Sequence, residues 1–236
     1  MQGVDSTGVT LQTLDDKSFD HGAILAQTQT PVQIEGHDKI TYQELLDFVT
    51  PLAADMLVKG IRDRIFIPPL PQFSLIQPSN LIHASKITPS DREINWFDWD
   101  AQTIHRRHRA LGRLWSITNS SQKSPVRTIF EDFSILEERT PLFNQVFRRR
   151  SKPDENGEGK PWSAFRYMLH LTKQGEIKPL LYVEHGDAIA IPMKRGGVLV
   201  RNITVEGKGK RAARKAMESL EVRGFDEDDP EKMICS

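Results

Sequence analysis

A short acidic loop near the start of the chain holds residues whose types and spacing suit chemistry. The segment DDKSFDHG contains three carboxylates and a histidine, and it ends in Gly22. It lies between two runs of apolar and β-branched residues, Val9–Leu14 and Ala23–Thr30, which predict strands. Loops held between strands commonly carry catalytic groups, although a solvated hairpin turn has the same composition. The loop is therefore a candidate catalytic site, and the alternative is a solvated turn with no chemical role.

A second candidate site is cationic and lies in the middle of the chain. The segment 101–111 predicts a helix that Asp98 or Asp100 can cap and that Gly112 can end. Four arginines lie on this segment or directly after it: Arg106, Arg107, Arg109 and Arg113. Guanidinium groups match the geometry of phosphate oxygens, although an arginine-rich helix can also be simply solvated. These arginines are candidate nucleic-acid ligands.

The segment GKGKRAARK, residues 207–215, is a third candidate and is also cationic. Its five basic residues are Lys208, Lys210, Arg211, Arg214 and Lys215. Its glycines permit close approach of the backbone, and the helix predicted after them would offer amides to a phosphate. The spacing differs from that of a P-loop, so the sequence argues against nucleotide hydrolysis. We expect this segment to contact nucleic acid as well.

The zero net charge of the chain hides an uneven distribution. Residues 1–100 carry 7 Lys and Arg against 14 Asp and Glu, whereas residues 101–215 carry 23 against 11. A basic region joined to an acidic one is typical of a protein in which one part meets a polyanion. The charge pattern therefore supports nucleic acid as the partner of the later region.

The amino-acid composition limits the class of protein to which the chain can belong. The chain has 236 residues, 38% of them apolar, which suits a globular protein of one or two domains. The single cysteine, Cys235, rules out a disulfide framework within the chain, and no apolar run is long enough to predict a membrane span. We expect a monomer with no metal site and no membrane association.

Two kinds of element are predicted around the candidate sites. Residues 41–59 predict a helix with a capping box, an apolar face in the core, and a kink or break near Thr50 caused by Pro51. Five later runs predict a small antiparallel β-barrel such as an OB-fold. They are Val126–Leu136, Ala164–Leu171, Pro179–Glu184, Ala188–Pro192 and Val198–Val205.

Three motifs, in order, resemble the folate-dependent formyltransferases. The first is TGVT followed by the acidic loop, in which Asp20 aligns with the catalytic aspartate of that family. The second, Lys86–Trp96 with IHRRHRAL, is similar to the opening of the C-terminal domain of methionyl-tRNA formyltransferases. The third, VRNITVEGKGKR, is similar to the segment that closes that domain. The resemblance covers almost the whole chain and is closest to the mitochondrial type.

The resemblance implies a mixed α/β architecture. Residues 1–66 would be the C-terminal portion of a Rossmann-like formyltransferase domain, joined by a proline-rich linker at 67–87 to an OB-like tRNA-binding domain at 88–220. That domain would carry a flexible insertion at 144–161, and an acidic tail would follow at 221–236. We expect these to be the domains of the chain.

The resemblance also implies a reaction. A formyl group would move from 10-formyltetrahydrofolate to the α-amine of methionine on initiator tRNA, in the mitochondrial matrix. The family places an Asn and a His beside the Asp, on a strand upstream of Thr7, where this sequence has six residues. We therefore expect the 236-residue chain to have an incomplete site and little or no activity.

Two alternatives stay open. The chain could be a non-catalytic tRNA-binding module, in which case its affinity would fall steeply with salt. It could also be a related two-domain formyltransferase acting on a sugar nucleotide or on formyltetrahydrofolate itself. The second alternative does not need a basic domain, so the excess of lysine and arginine in residues 101–215 argues against it.

Overall fold

The computed structural model describes residues 1, 3–16, 22–28, 32–36, 38–71, 85–120, 124–136, 142–143, 165–220 and 222–224. The chain divides into two compact units, Met1–Lys86 (unit 1) and Ile87–Ser236 (unit 2). The predicted insertion at 144–161 lies outside the described residues. So do most of the predicted linker and most of the predicted acidic tail.

The described residues of unit 1 form two small antiparallel sheets and one long helix. Strand β1 (Ser6–Thr7) pairs with β4 (Val32–Gln33), and β2 (Thr10–Gln12) pairs with β3 (Ile24–Gln27). The strands predicted on either side of the acidic loop are therefore present, and they form an antiparallel pair.

Helix α1 (Tyr42–Arg62) begins as its sequence predicts. The Thr41 hydroxyl accepts a hydrogen bond from the Glu44 amide, and the Glu44 carboxylate accepts one from the Thr41 amide at 2.7 Å. These bonds satisfy amides that the first helical turn leaves without partners. The helix continues through Pro51, so the predicted break does not occur. Among the described residues, no helix has both the length and the apolar character needed to cross a bilayer.

The predicted burial of the apolar face of α1 is wrong. Tyr42 is 61% exposed and Leu57 is 47% exposed, and Gly60 is the buried residue of the helix. Hydrophobic periodicity identifies the apolar side of a helix, but burial also needs an opposing surface of matching size. Among the described residues of unit 1, the helix packs mainly against the small β2–β3 pair.

Gly22, the last residue of the acidic loop, must be a glycine because the backbone of Thr13 packs closely against it. A Cβ atom at this position would lie 1.7 Å from the Thr13 carbonyl oxygen. We expect Gly22→Ala to separate β2 from β3 and to lower the free energy of unfolding of unit 1 by roughly 3 kcal/mol or more, because the obstructing atom is backbone. Hydrogen exchange at the β2 and β3 amides measures this loss.

The matched control for that substitution is Gly209→Ala. A Cβ atom at Gly209 would meet no other atom within 4 Å, and the residue has no positive φ, so alanine there should be tolerated. Equal amide protection in the Gly22→Ala variant and the wild type would contradict the prediction.

Unit 2 is built on a closed antiparallel barrel of six strands. They are β5 (Leu114–Asn119), β6 (Pro125–Ile135), β7 (Phe165–Leu171), β8 (Ile177–His185), β9 (Ala188–Pro192) and β10 (Gly197–Val205). The hydrogen-bonded order is β10–β6–β5–β7–β8–β9, and β9 pairs again with β10. Two short strands extend this sheet: β11 (Lys210–Ala212) pairs with β10, and β12 (Val222–Gly224) pairs with β7.

The predicted fold class, a mixed α/β chain with a small β-barrel, is confirmed, and all five predicted barrel strands are present. The sixth, β5, is absent from the sequence prediction because its polarity pattern is reversed. Its inward residues Ser116 and Thr118 are polar and fully buried, whereas Ile117 between them is only partly buried. A buried hydroxyl is tolerated when it is hydrogen-bonded, and Thr118 has Thr128 Oγ1 at 2.6 Å.

Helices α2 (Ala101–Leu111) and α3 (Ala213–Met217) pack on this barrel. Ile104 of α2 and Ala213 of α3 are completely buried in the same cluster as the barrel residues Phe130 and Ile203. The core of unit 2 therefore fixes the helix and the hairpin that carry the candidate cationic residues.

Candidate nucleic-acid interface

The start and the end of α2 are set by the residues that the sequence analysis identified. Asp100 Oδ1 accepts a hydrogen bond from the Thr103 amide at 2.7 Å, and hydrogen bonding to Thr103 lowers the pKa of the Asp100 carboxyl. At the other end Gly112 adopts φ 75°, a left-handed conformation that favours glycine. The predicted bounds of this helix are confirmed.

The arginines of α2 are partly buried and have different surroundings. The Arg107 guanidinium lies 4.4 Å from the centre of the Trp99 ring, and its Nη1 donates to the Asp91 carbonyl at 2.8 Å. Arg106 Nη2 approaches the Thr103 hydroxyl at 3.5 Å. Arg107 is therefore held against the protein, and any contact it makes with a phosphate must use its remaining N–H groups.

Arg113 and Lys210 converge on one buried carboxylate. Glu131 on β6 is only 6% exposed, and its Oε2 lies 3.1 Å from Lys210 Nζ while its Oε1 lies 3.7 Å from Arg113 Nε. The Arg113 side chain is nevertheless 71% exposed. The two cationic segments, far apart in sequence, thus meet at one edge of the barrel.

Asp132 completes this group, which we call the Glu131 cluster (Arg113, Glu131, Asp132, Asn202 and Lys210). Its carboxylate accepts hydrogen bonds from Asn202 Nδ2 and from Lys210 Nζ, and the Asn202 bond is the main cause of its lowered pKa. The two acidic residues raise the pKa of Lys210, Glu131 more than Asp132. The amino group of Lys210 therefore stays charged.

Sequence reasoning missed Glu131 and Asp132 as residues that position the cations. A signal was present, because the two carboxylates interrupt the otherwise apolar run IFEDF of a predicted strand. A carboxylate at a buried strand position needs a partner, since an unpaired buried charge is costly. The sequence could thus indicate that a cation lies nearby, but it could not identify which one.

The segment GKGKR forms the β10–β11 turn. The Lys208 amide donates to the Val205 carbonyl at 2.8 Å, and Gly207 between them has φ 75°. The side chains of Lys208 and Arg211 are exposed, as is that of Lys215 on α3. These three exposed cations lie within five residues of Lys210 in the chain.

At the predicted phosphate site before α3, one backbone amide already has a protein partner. The Arg214 amide in the first turn of α3 already donates to the Asp187 carbonyl at 3.0 Å, and α3 has only five residues. The Arg214 side chain pairs with Glu184 at 3.1 Å. The Arg214 amide is therefore not available to a phosphate, and the predicted contact by the Arg214 side chain stays a prediction.

Asp20, the candidate catalytic residue, lies outside the described residues. The strands that precede and follow its loop are joined by a hydrogen bond from the Thr13 amide to the Ala23 carbonyl at 2.9 Å. The catalytic role of Asp20 stays a prediction.

Burial lowers the pKa of His108 on α2 and of His170 on β7 below the ordinary value of 6.5, although Asp132 and Glu131 oppose this for His108. Below about pH 6.5 the unfolded chain therefore binds more protons than the folded chain. We expect the free energy of unfolding to be highest above that pH and to decrease as the pH falls below it. Urea unfolding at about pH 7.5 and about pH 5.5, followed by circular dichroism, measures the difference.

The control for the pH prediction replaces both histidines with glutamine, which should flatten the dependence between those two pH values. Asp91, Asp100 and Asp132 have pKa values below the ordinary 3.8, so the stability they contribute is lost only at more acidic pH. A wild-type protein equally stable at both pH values would contradict the prediction.

One known protein family matches this chain in the region that carries α2 and the start of the barrel. The family described as "Formyl transferase, C-terminal domain" matches residues 86–131. The mitochondrial methionyl-tRNA formyltransferase of Saccharomyces cerevisiae is 31% identical over 134 residues, which cover 48% of this chain and 32% of the relative. The mitochondrial methionyl-tRNA formyltransferase of Bos taurus is 28% identical over 136 residues, covering 57% of this chain and 31% of the relative.

These alignments span about a third of the length of both relatives. Among solved structures, a variant of HypX from Aquifex aeolicus matches with a TM-score of 0.47 and 14% identity, covering 89% of this chain and 30% of that one. The resemblance predicted from the sequence is confirmed: the chain is similar to mitochondrial methionyl-tRNA formyltransferases, and its residues 86–131 match the C-terminal domain of formyl transferases.

Proposed function

We propose that this chain acts in the formylation of methionyl-tRNA for translation initiation, and that unit 2 is its tRNA-binding part. The formyl donor would be 10-formyltetrahydrofolate, and the compartment would be the mitochondrion. The names of the similar proteins support the reaction class and the compartment. The OB-like character that the sequence predicts for the barrel supports the role of unit 2, because OB-folds bind oligonucleotides.

The observation that carries the RNA-binding part of the proposal is the convergence of Arg113 and Lys210 on Glu131. The buried carboxylate holds Arg113 through Nε, which leaves the two terminal amino groups of its exposed guanidinium to meet a phosphate. Exposed Lys208, Arg211 and Lys215 lie close to Lys210 in the chain. A duplex backbone laid along these side chains would meet several cations in succession.

The chemistry of formyl transfer defines what the catalytic part must supply. The attacking amine has to lose a proton while a tetrahedral oxyanion forms, so the site needs a base and a hydrogen-bond donor for the oxyanion. By resemblance Asp20 belongs to a set of an Asn, a His and an Asp that supplies the base, the oxyanion donor and the group that holds the tautomer of the base. Within these 236 residues the motif supplies the Asp alone.

Binding of tRNA by the whole chain tests the proposed function. Filter binding at about 50 mM and about 200 mM salt should show an affinity that falls steeply with salt, as phosphate contacts require. Affinity that is absent at low salt, or that does not change with salt, would overturn the proposed role of unit 2.

A formylation assay tests the catalytic part separately. We expect the 236 residues by themselves to form little or no formyl-methionyl-tRNA, because a catalytic set represented by its Asp alone can have a kcat lower by several powers of ten. Robust turnover by the chain would contradict the incomplete site. Binding of tRNA without turnover would favour the alternative of a non-catalytic tRNA-binding module.

A further inference from the structure

An open cleft of about 360 Å³ lies on unit 2, between the segment before α2 and the hairpin that joins β7 to β8. Its lining includes Glu93, Phe97, Asp98, His170, Lys173 and Lys178. It shares none of its lining residues with the Glu131 cluster or with the β10–β11 turn. We call it the Phe97 cleft.

The cleft presents an aromatic ring to solvent. Phe97 is 40% exposed, whereas its neighbour Trp96 is only 2% exposed and fills the barrel core. The His170 ring lies 6.0 Å from the Phe97 ring at an angle of 40°, and Lys178 Nζ lies 5.8 Å from the Phe97 centroid. An exposed ring with a polar surround is suited to stack on a flat ligand.

His170 lines the cleft but is only 4% exposed, so a ligand would reach its ring from inside the cleft. Its Nδ1 lies 2.9 Å from the Ile117 carbonyl oxygen, and a carbonyl can only accept, so Nδ1 carries the proton. Burial lowers the pKa of His170, which keeps the ring neutral near pH 7. The other nitrogen, Nε2, therefore carries a lone pair and can accept a hydrogen bond from a ligand.

The Asp98 carboxylate of the cleft favours a ligand with hydrogen-bond donors, whereas the two lysines of the cleft are paired with glutamates. Lys173 pairs with Glu93 at 3.4 Å, and Lys178 pairs with Glu176 at 2.7 Å. Asp98 accepts from Asn95 Nδ2 at 2.8 Å and keeps a second carboxylate oxygen for other contacts. The two lysine side chains are about half exposed, so their ammonium groups can still turn towards an anion at the rim.

We propose that the Phe97 cleft binds an unpaired nucleobase that carries an exocyclic amino group. The base stacks on Phe97, and its amino group donates to His170 Nε2 or to the Asp98 carboxylate. The phosphate of the same nucleotide stays outside the cleft, beside Lys173 and Lys178. This inference rests on the proposed tRNA binding by unit 2, and it adds recognition of a single unpaired base to phosphate contacts made elsewhere.

Substitution of Phe97 tests the stacking. In the whole chain, Phe97→Ala should weaken tRNA binding about 5- to 150-fold, the range that removal of one base-stacking aromatic produces. The slope of affinity against salt should not change, since no phosphate contact is removed. The control is Ile87→Ala, an exposed apolar residue of unit 2 (51%) outside the cleft, which should bind like the wild type.

The outcomes separate this inference from the proposed function. A wild-type chain that fails to bind tRNA overturns the proposed function. A wild-type chain that binds tRNA, with a Phe97→Ala effect below about fivefold or equal to that of Ile87→Ala, overturns the cleft proposal alone.

Short single-stranded oligonucleotides test the readout of the amino group. Oligocytidylate and oligoadenylate should bind the whole chain more tightly than oligouridylate, and they should shift the NMR signals of the His170 ring. Uracil lacks the exocyclic amine, so equal affinity for all three would overturn the proposal. Shifts that are unchanged in the Phe97→Ala variant would overturn it as well.

Discussion

Replacing Trp96 with alanine should lower the free energy of unfolding of unit 2 by about 3–5 kcal/mol, the usual cost of deleting a large buried aromatic side chain. Trp96 is 2% exposed and meets the Phe130 ring edge-on, with centroids 5.0 Å apart. Its Nε1 donates to the Ser116 hydroxyl at 3.2 Å. The substitution therefore removes apolar packing and leaves a buried hydroxyl without its donor.

Urea unfolding followed by circular dichroism measures this effect. Circular dichroism is preferable to tryptophan fluorescence here. The substitution removes one of the four tryptophans of the chain and would itself change the fluorescence signal. Trp96→Phe should be intermediate, since it keeps a ring against Phe130 but loses the bond to Ser116. Phe97→Ala, at the exposed neighbouring position, should cost much less. A Trp96→Ala variant with the unfolding midpoint of the wild type would contradict the packing of Trp96 against Phe130.

Removing three exposed cations should weaken tRNA binding on the order of 100-fold at low salt. The variant replaces Lys208, Arg211 and Lys215 with alanine, and each exposed charged group that meets a phosphate contributes about 1 kcal/mol. The slope of log affinity against log salt should also become shallower, by about 0.9 for each duplex phosphate that is no longer neutralised. Filter binding across a range of salt concentrations measures both quantities.

The matched control removes three exposed cations from unit 1, namely Lys39, Lys59 and Arg62, and so produces the same change in net charge. If tRNA binds along the β10–β11 turn and α3, the control keeps both the affinity and the slope of the wild type. Equal reductions in the two variants would mean that only net charge matters, and the proposed interface would then be wrong.

The described residues of unit 2 include cations that are paired with carboxylates and cations that are not, and only the second kind tests binding without also changing stability. Arg113 and Lys210 are held by Glu131, so they contribute to the stability of the barrel edge as well as to any phosphate contact. Lys208, Arg211 and Lys215 have no ion pair among those found in the described part of the chain. The exposed set therefore reports on binding with little effect on stability.

Some features of this protein could be predicted because they depend on residues close together in the chain. Thr41 and Glu44 begin α1, and Asp100 and Gly112 bound α2, through hydrogen bonds and dihedral angles that span a few residues. Short runs of apolar and β-branched residues likewise predicted five of the six barrel strands. The excess of lysine and arginine in residues 101–215 is a property of composition alone.

Other features depended on which distant residues meet. The β5 strand was missed because Ser116 and Thr118 face the core, where Trp96 and Thr128 satisfy their hydroxyls. The apolar stripe of α1 was correctly located in the sequence but wrongly assigned to the core, since no large surface among the described residues of unit 1 covers it. Local bonds and periodicity are encoded over a few residues, whereas burial and charge pairing are decided only when the barrel closes and brings Glu131 of β6 to Arg113 and Lys210.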